Sequence, residues 1–220
     1  MKKDPRKYWK QVLNLIDKSD LILFVLDARF VYQTRNSLLE GKIDEKNKKF
    51  LYVLSKSDLV PITIQKKNEK SLPRHAVSVS YKKGYGKVKL LHAIKKSTKK
   101  RPLYIGVVGY PNVGKSAVIN LLRGKKSARM SPVAGYTRGV QWIRVSPTLL
   151  LVDSPGVIPR KEKNETNLIL KSAVTKVKDF EGAAVDLLEI LCNQNPRVIQ
   201  RYYNIELDRD PFETLKRLAI

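Results

Sequence analysis

The 220-residue sequence has one cysteine, Cys192. One cysteine excludes an internal disulfide and a cysteine-built metal cluster, so no disulfide partner is expected. Cys192 itself reads as a small apolar residue on a helix. No apolar run reaches the roughly 20 residues that a membrane helix needs. The basic start, Met1 to Lys10, is not followed by the uninterrupted apolar stretch of a cleaved leader. The expectation is a cytoplasmic protein with no membrane partner. Repeats and low-complexity linkers are missing as well. The most informative absence is of acid: no Asp or Glu occurs between Glu69 and Asp153.

That stretch holds 18 Lys and Arg residues of a chain with formal net charge +24. Its densest part, Lys82 to Arg101, contains nine of them, whereas residues 179–220 carry eight acids against five bases. A lysine-rich run can be a solvated face or a trait of heat adaptation. Heat adaptation, however, enriches Glu together with Lys. A polyanion, with RNA foremost, is therefore the expected partner. The candidate RNA-binding residues are Lys82, Lys83, Lys87, Lys89, Lys95, Lys96, Lys99, Lys100 and Arg101, the first four forming the accessible group around Gly84 and Gly86.

What is present is enough apolar residue, 42%, to build a core. Tyr8, Trp9, Val12, Leu13 and Ile16 share one helical face. Continuous apolar runs at 21–26, 50–54, 75–79, 103–108 and 149–152 have the look of strands buried on both faces. Gln141 to Val145 alternates and suits an edge strand. Helical segments between the runs predict an α/β fold with a largely parallel sheet. After Gly156 the pattern turns helical. Asn164 to Val177 reads as one helix and Asp179 caps another, with a short one near Pro211. The expected division is a nucleotide-binding domain at 1–160 and a helical region at 161–220.

Gly109-Tyr-Pro-Asn-Val-Gly114-Lys115-Ser116 fits the phosphate-binding loop G-x-x-x-x-G-K-[ST], between an apolar strand and a helix. Backbone N–H groups of such a loop point at phosphates, and the helix N-terminus adds its dipole. Asn112, Val113, Gly114, Lys115, Ser116 and Ala117 are the expected phosphate contacts. Lys115 reaches the β- and γ-phosphates and Ser116 ligates magnesium. Asp153-Ser-Pro-Gly156 follows a buried strand; Asp153 suits magnesium, and Gly156 can offer its N–H to the γ-phosphate. Thr137, in a turn-rich loop between them, suits the switch threonine that closes on magnesium and γ-phosphate. Ser55-Lys56-Ser57-Asp58 ends another buried strand, where ligands of open α/β sheets bind. There the Asp58 carboxylate can accept from guanine N1 and N2 while Lys56 packs along the base. Ser78 and Val79 are the expected second base contact.

With those residues in place, the chain resembles the circularly permuted GTPases of the YlqF/YawG type, which act in ribosome assembly. The base-reading motif precedes the phosphate loop, the reverse of ordinary GTPases. Asp27-Ala-Arg29 and Thr34-Arg-Asn36 look like that family's D-A-R…T-R-N stretch. Ser55 stands where the family has Asn or Thr, Val79 where it has Ala, and Phe30-Val31 where a proline-containing pair is usual. The chain stops at Ile220 while relatives continue, so the helical part is expected to be short or truncated. The resemblance implies a P-loop GTPase fold, and a monomer is expected. It implies GTP or GDP with magnesium, and a partner in ribosomal RNA or a ribosomal subunit, the large one first. Asn112 matches the asparagine that potassium-dependent relatives use as an ion ligand; it can equally be a turn residue after Pro111. Val157 stands where many small GTPases orient the attacking water with glutamine. Slow intrinsic GTP hydrolysis, stimulated by the ribosome, is the expectation. The alternatives are an RNA-binding scaffold that holds GTP or GDP with negligible turnover, and an ATPase, against which Asp58 argues.

Overall fold

The structure is a computed structural model that describes residues 5–124, 142–153, 179–194 and 196–218. The chain divides into two compact units, residues 1–160 and 161–220.

In the first unit the elements run α1 (Pro5–Lys18), β1 (Leu21–Asp27), α2 (Ser37–Glu45) and β2 (Lys49–Ser55), then a 3-10 turn at Ser57–Leu59. There follow α3 (Ile62–Ser71), β3 (Ala76–Ser78), α4 (Lys87–Ser97) and β4 (Leu103–Val108). The unit continues with α5 (Lys115–Arg123), β5 (Ile143–Ser146) and β6 (Leu149–Asp153). The six strands form one sheet in the order β3-β2-β1-β4-β6-β5. All neighbouring pairs are parallel except β5 with β6, which places the antiparallel strand at an edge. This is the mostly parallel, helix-flanked α/β architecture that the alternating apolar runs predict.

The continuous apolar runs are explained by burial on both faces. Every residue of β1 is buried. Leu21, Leu23 and Val25 join the core beneath α4 and α5, with Leu90, Ile94, Val118 and Leu122. The alternate residues Ile22, Phe24 and Leu26 join the opposite core, with Val12, Leu15 and Ile16 of α1 and Leu39 and Ile43 of α2. The period of two along the strand sends successive side chains to opposite faces. Helices on each face then leave no polar position between Leu21 and Leu26.

In the second unit α6 (Phe180–Gln194) packs on α7 (Pro196–Tyr203) and α8 (Pro211–Leu218). Asp179 caps α6 by accepting the Gly182 N–H at 2.9 Å. Asp210 accepts the Phe212 N–H at 2.9 Å, and Pro211 fills the first helical position of α8. The predicted helix at Asn164 to Val177 lies outside the described residues. Within α6, Leu188 is buried, while Phe180 and Leu191 are exposed.

Candidate nucleotide site

The C-terminal ends of β2, β1 and β4 lie side by side, and each carries one of the sequence motifs. In the parallel pairing, Asp27 closing β1 is in register with Ser55 closing β2. The 109–116 loop springs from the end of β4, next to β1.

The loop has the backbone its glycines predict. Gly109 adopts φ +145, and a Cβ there would fall 2.4 Å from the Val25 carbonyl oxygen. Gly114 adopts φ +101, and its Cβ would meet the Ser55 hydroxyl at 3.0 Å. Only a residue without Cβ fits either position without displacing backbone or side chain. Lys115 opens α5 and is buried, its Nζ donating to the Tyr110 carbonyl at 2.8 Å. The ammonium thus bridges its own loop, and a phosphate entering there would offer it stronger acceptors. Ser116 and Asn112 are exposed at the mouth of the loop, and Asn112 holds a left-handed backbone, φ 58.

Ser55 couples the loop to the other motif. Its Oγ lies against the carbonyls of Val113 and of Leu26, the latter at 3.1 Å. Beyond it Lys56 takes a left-handed conformation, φ 54 and ψ 29. That turn puts Asp58 half-buried over the end of β2. Ser55, Lys56, Asp58, Val79, Tyr81 and Lys82 together with Gly114 and Ala117 line one cavity of about 240 Å³. A planar base with its first phosphate at the loop matches a cavity that runs from a carboxylate to a glycine-rich turn.

The geometry departs from the sequence expectation at the second base contact. Val79 lines the cavity, but its N–H is spent on the Leu54 carbonyl at 2.8 Å, inside the sheet. The Ser78 N–H goes to Glu69 Oε1 at 2.8 Å, away from the cavity. The residue that meets Asp58 is Ser80, whose Oγ donates to Oδ1 at 2.6 Å and accepts the Lys83 N–H at 3.0 Å. Tyr81 follows at the bend, and its N–H has no hydrogen-bond partner among the described residues. Ser78 and Ser80 are indistinguishable as residues; only the point at which β3 stops decides which one reaches Asp58. The stop at Ser78 was the missing signal.

The D-A-R…T-R-N stretch frames the same edge. Asp27 is buried, with both oxygens engaged. Arg29 donates Nε to Oδ1 at 3.0 Å and a terminal nitrogen to Oδ2 at 2.8 Å, and Lys56 Nζ donates to Oδ2 at 2.9 Å. Burial raises the Asp27 pKa, but the bonds from Arg29 and Lys56 outweigh it and hold the carboxyl below its ordinary value. Thr34 Oγ1 accepts the Asp27 N–H at 3.1 Å and donates to the Phe30 carbonyl at 2.7 Å. Asn36 caps α2 by accepting the Leu39 N–H at 3.1 Å, while Arg35 grips Glu40 at 2.6 Å.

Of the magnesium set, only the Ser116 side chain is described. For Asp153 the backbone alone is described, at the end of β6; Thr137, Gly156 and Val157 lie outside the described residues. The exposed Ser116 hydroxyl beside Lys115 is an oxygen donor of the kind that would hold a magnesium ion.

The basic candidates are not equivalent. Lys89 pairs with Glu69 at 2.8 Å and Lys100 with Asp20 at 2.5 Å, two acids from outside the acid-free stretch. Lys82 lines the cavity, and Lys87 is half-buried. Lys83, Lys95, Lys96, Lys99 and Arg101 remain exposed.

Residues 104–211 match the family described as 50S ribosome-binding GTPase. The chain is 40% identical over 216 residues to the GTP-binding protein MJ1464 of Methanocaldococcus jannaschii, covering 96% of this chain and 57% of that protein. It is 34% identical to nuclear/nucleolar GTPase 2 of Arabidopsis thaliana, covering 97% of this chain and 39% of that one. The chain thus spans from about two fifths to somewhat over half the length of these relatives. Among solved structures, YjeQ from Thermotoga maritima is similar over 63% of this chain and 48% of that one, at 18% identity and a TM-score of 0.45. The sheet order, the phosphate loop at the end of β4 and the match across 104–211 together identify a GTPase fold, in which the strand end bearing Asp58 comes before the phosphate loop in the chain.

Proposed function

We propose that the chain binds guanine nucleotides, hydrolyses GTP slowly and acts in ribosome assembly, in the manner of the YlqF/YawG-type GTPases. The observation that carries this reading is that Asp58 and the phosphate-loop end, Gly114 and Ala117, line one cavity. Asp58 accepts from guanine N1 and N2, with Ser80 holding its Oδ1 and Tyr81 N–H as the adjacent backbone donor. A carboxylate there rejects adenine, which lacks that pair of donors. Lys115 transfers from the Tyr110 carbonyl to the β- and γ-phosphates. Ser116, with Thr137 and Asp153, would hold a magnesium ion, which neutralises phosphate charge when bound. Asn112 is the candidate ligand for potassium, and Gly156 N–H the γ-phosphate contact. The nucleotide domain is assigned to 1–160 and a helical region to 161–220, and the chain acts as a monomer in the cytoplasm.

The partner proposed is ribosomal RNA of the large subunit, engaged through Lys83, Lys95, Lys96, Lys99 and Arg101. The description of the matching family and the names of the relatives support a ribosomal setting. Val157, in place of a water-orienting glutamine, favours a second reading in which the chain is a scaffold with negligible turnover. One experiment separates them. GTP turnover and co-sedimentation with large subunits are measured with GDP and with a non-hydrolysable GTP analogue. Subunit-stimulated turnover and analogue-dependent binding are expected. Nucleotide-dependent binding without turnover selects the scaffold, and binding indifferent to nucleotide contradicts both.

A further inference from the structure

We propose that Asp27 and Arg29 are positioning residues for Lys56: the buried carboxylate, gripped by Arg29, anchors the Lys56 ammonium and so lays the lysine stem along the wall of the nucleotide cavity. This rests on the guanine-nucleotide reading of that cavity.

Asp27 is 1% exposed at the end of β1. Its main chain is fixed on both sides. Thr34 Oγ1 takes its N–H at 3.1 Å, and the following Ala28 N–H donates to the Ser55 carbonyl at 2.9 Å. These bonds fix the backbone that carries the carboxylate at the junction of β1 with β2. Arg29 closes a two-pronged contact on both oxygens and adds its own N–H to Oδ1 at 3.1 Å. Of the donors around Asp27, only Lys56 belongs to the cavity lining, and its Nζ reaches Oδ2 at 2.9 Å.

A lysine stem has four rotatable bonds, and its freedom must be lost if the stem is to lie against a base. Tying Nζ to a rigid carboxylate removes that freedom before the ligand arrives, so less is lost on binding. The left-handed Lys56 backbone fixes the near end of the stem and Asp27 fixes the far end. Arg29 has a distinct part. A buried carboxylate facing one ammonium is poorly compensated, and the guanidinium fork supplies the second cation in a fixed plane. The same arrangement gives a specific use to the D-A-R residues, which make no contact with the cavity themselves.

The test is a double-mutant cycle on GDP affinity in the full chain, with pyrophosphate affinity as a readout of the phosphate loop alone. Asp27→Asn and Lys56→Met should each weaken GDP binding by about tenfold, while the double variant is no weaker than Lys56→Met, because one residue acts through the other. Pyrophosphate affinity should stay unchanged in all three. Arg29→Met, at a half-exposed side chain, supplies the same cycle if the Asp27 variant does not fold. Losses that multiply in the double variant, or pyrophosphate binding that falls in parallel with GDP, overturn the positioning role. A native chain that does not prefer GDP over ADP is a different result: it overturns the nucleotide reading on which the proposal stands.

Discussion

The rim of the sheet at residues 27–58 and 109–116 and the basic stretch at 82–101 are both strongly marked in the sequence, yet they fare differently on folding. At the rim the motif residues converge. Ser55 ties β2 to the phosphate loop, Asp27 holds Lys56, and Asp58 and Gly114 line one cavity. Along the basic stretch the residues disperse. Two lysines are matched by acids brought in from elsewhere in the chain, one lines the cavity, and only part of the run stays a free cationic face. Spacing along a sequence is a reliable guide when the chemistry needs backbone geometry at a strand end. It is a poor guide to net charge in space, because folding chooses each lysine's neighbours from the whole chain.

The largest effect expected at the rim comes from Lys115→Ala. Triphosphate affinity should fall by about a hundredfold or more, since charge-assisted bonds to phosphate are removed. The melting temperature should change little, because the ammonium's bond to a loop carbonyl is local to the loop itself. A variant that unfolds would make Lys115 a structural residue and dissolve the contrast with the basic stretch.

Asp58→Asn should cost guanine affinity by about 2–3 kcal/mol and shift preference toward xanthine nucleotides. Ser80→Ala should cost about 1 kcal/mol by freeing Oδ1 of Asp58, while Ser78→Ala leaves GDP affinity alone. Competition titrations on the three variants read this directly. An effect at Ser78 and none at Ser80 would restore the sequence-based assignment.

That pair shows where legibility stopped. The strands, the phosphate loop and its flanking helix were readable because period-two burial and glycine-dependent turns are local properties. The run at 75–79 was readable as a strand as well, but neither its stop at Ser78 nor the way α3 is held was. β3 has three residues, its neighbour α3 buries none of its own, and α3 is held by Gln65, Asn68 and Glu69 through bonds to remote backbone groups. No hydrophobic pattern announces such a tie. Equally, nothing local to Arg29 says that its fork closes on Asp27 and that Lys56 shares the carboxylate.

In the basic stretch, Lys95→Glu, Lys96→Glu and Lys99→Glu together should weaken binding to ribosomal RNA. They should also lower the salt slope by roughly 0.7–0.9 for each phosphate that is no longer neutralised. Lys89→Gln and Lys100→Gln should do much less, since Glu69 and Asp20 already occupy those ammonium groups. Lys82→Glu should instead reduce GDP affinity. Equal weakening of RNA binding at all five lysines 89, 95, 96, 99 and 100 would mean that the internal ion pairs do not withdraw charge from the surface.

The smallest effect is on acid stability. Burial raises Glu69, but Lys89 and the Ser78 N–H outweigh it, so Glu69 lies below its ordinary value, as Asp27 does. Groups depressed in the folded state favour folding fully above their unfolded values of about 4. That contribution is lost as pH falls through the folded values, because the unfolded chain takes up protons first. Melting temperature should therefore drop below about pH 4. Glu69→Gln should flatten the drop by about 1 kcal/mol at most, Lys89 being largely exposed to screening solvent. A Glu69→Gln profile identical to the native one would remove Glu69 as the group that ties β3 to α4.

The most direct measurement is a calorimetric titration of GDP and of ADP into the native chain, repeated with xanthosine diphosphate on Asp58→Asn. GDP should bind with ADP failing to compete, and the variant should exchange that preference for xanthosine diphosphate. Equal affinity for GDP and ADP, or a variant that binds GDP as the native chain does, would contradict the assignment of the cavity to a guanine nucleotide.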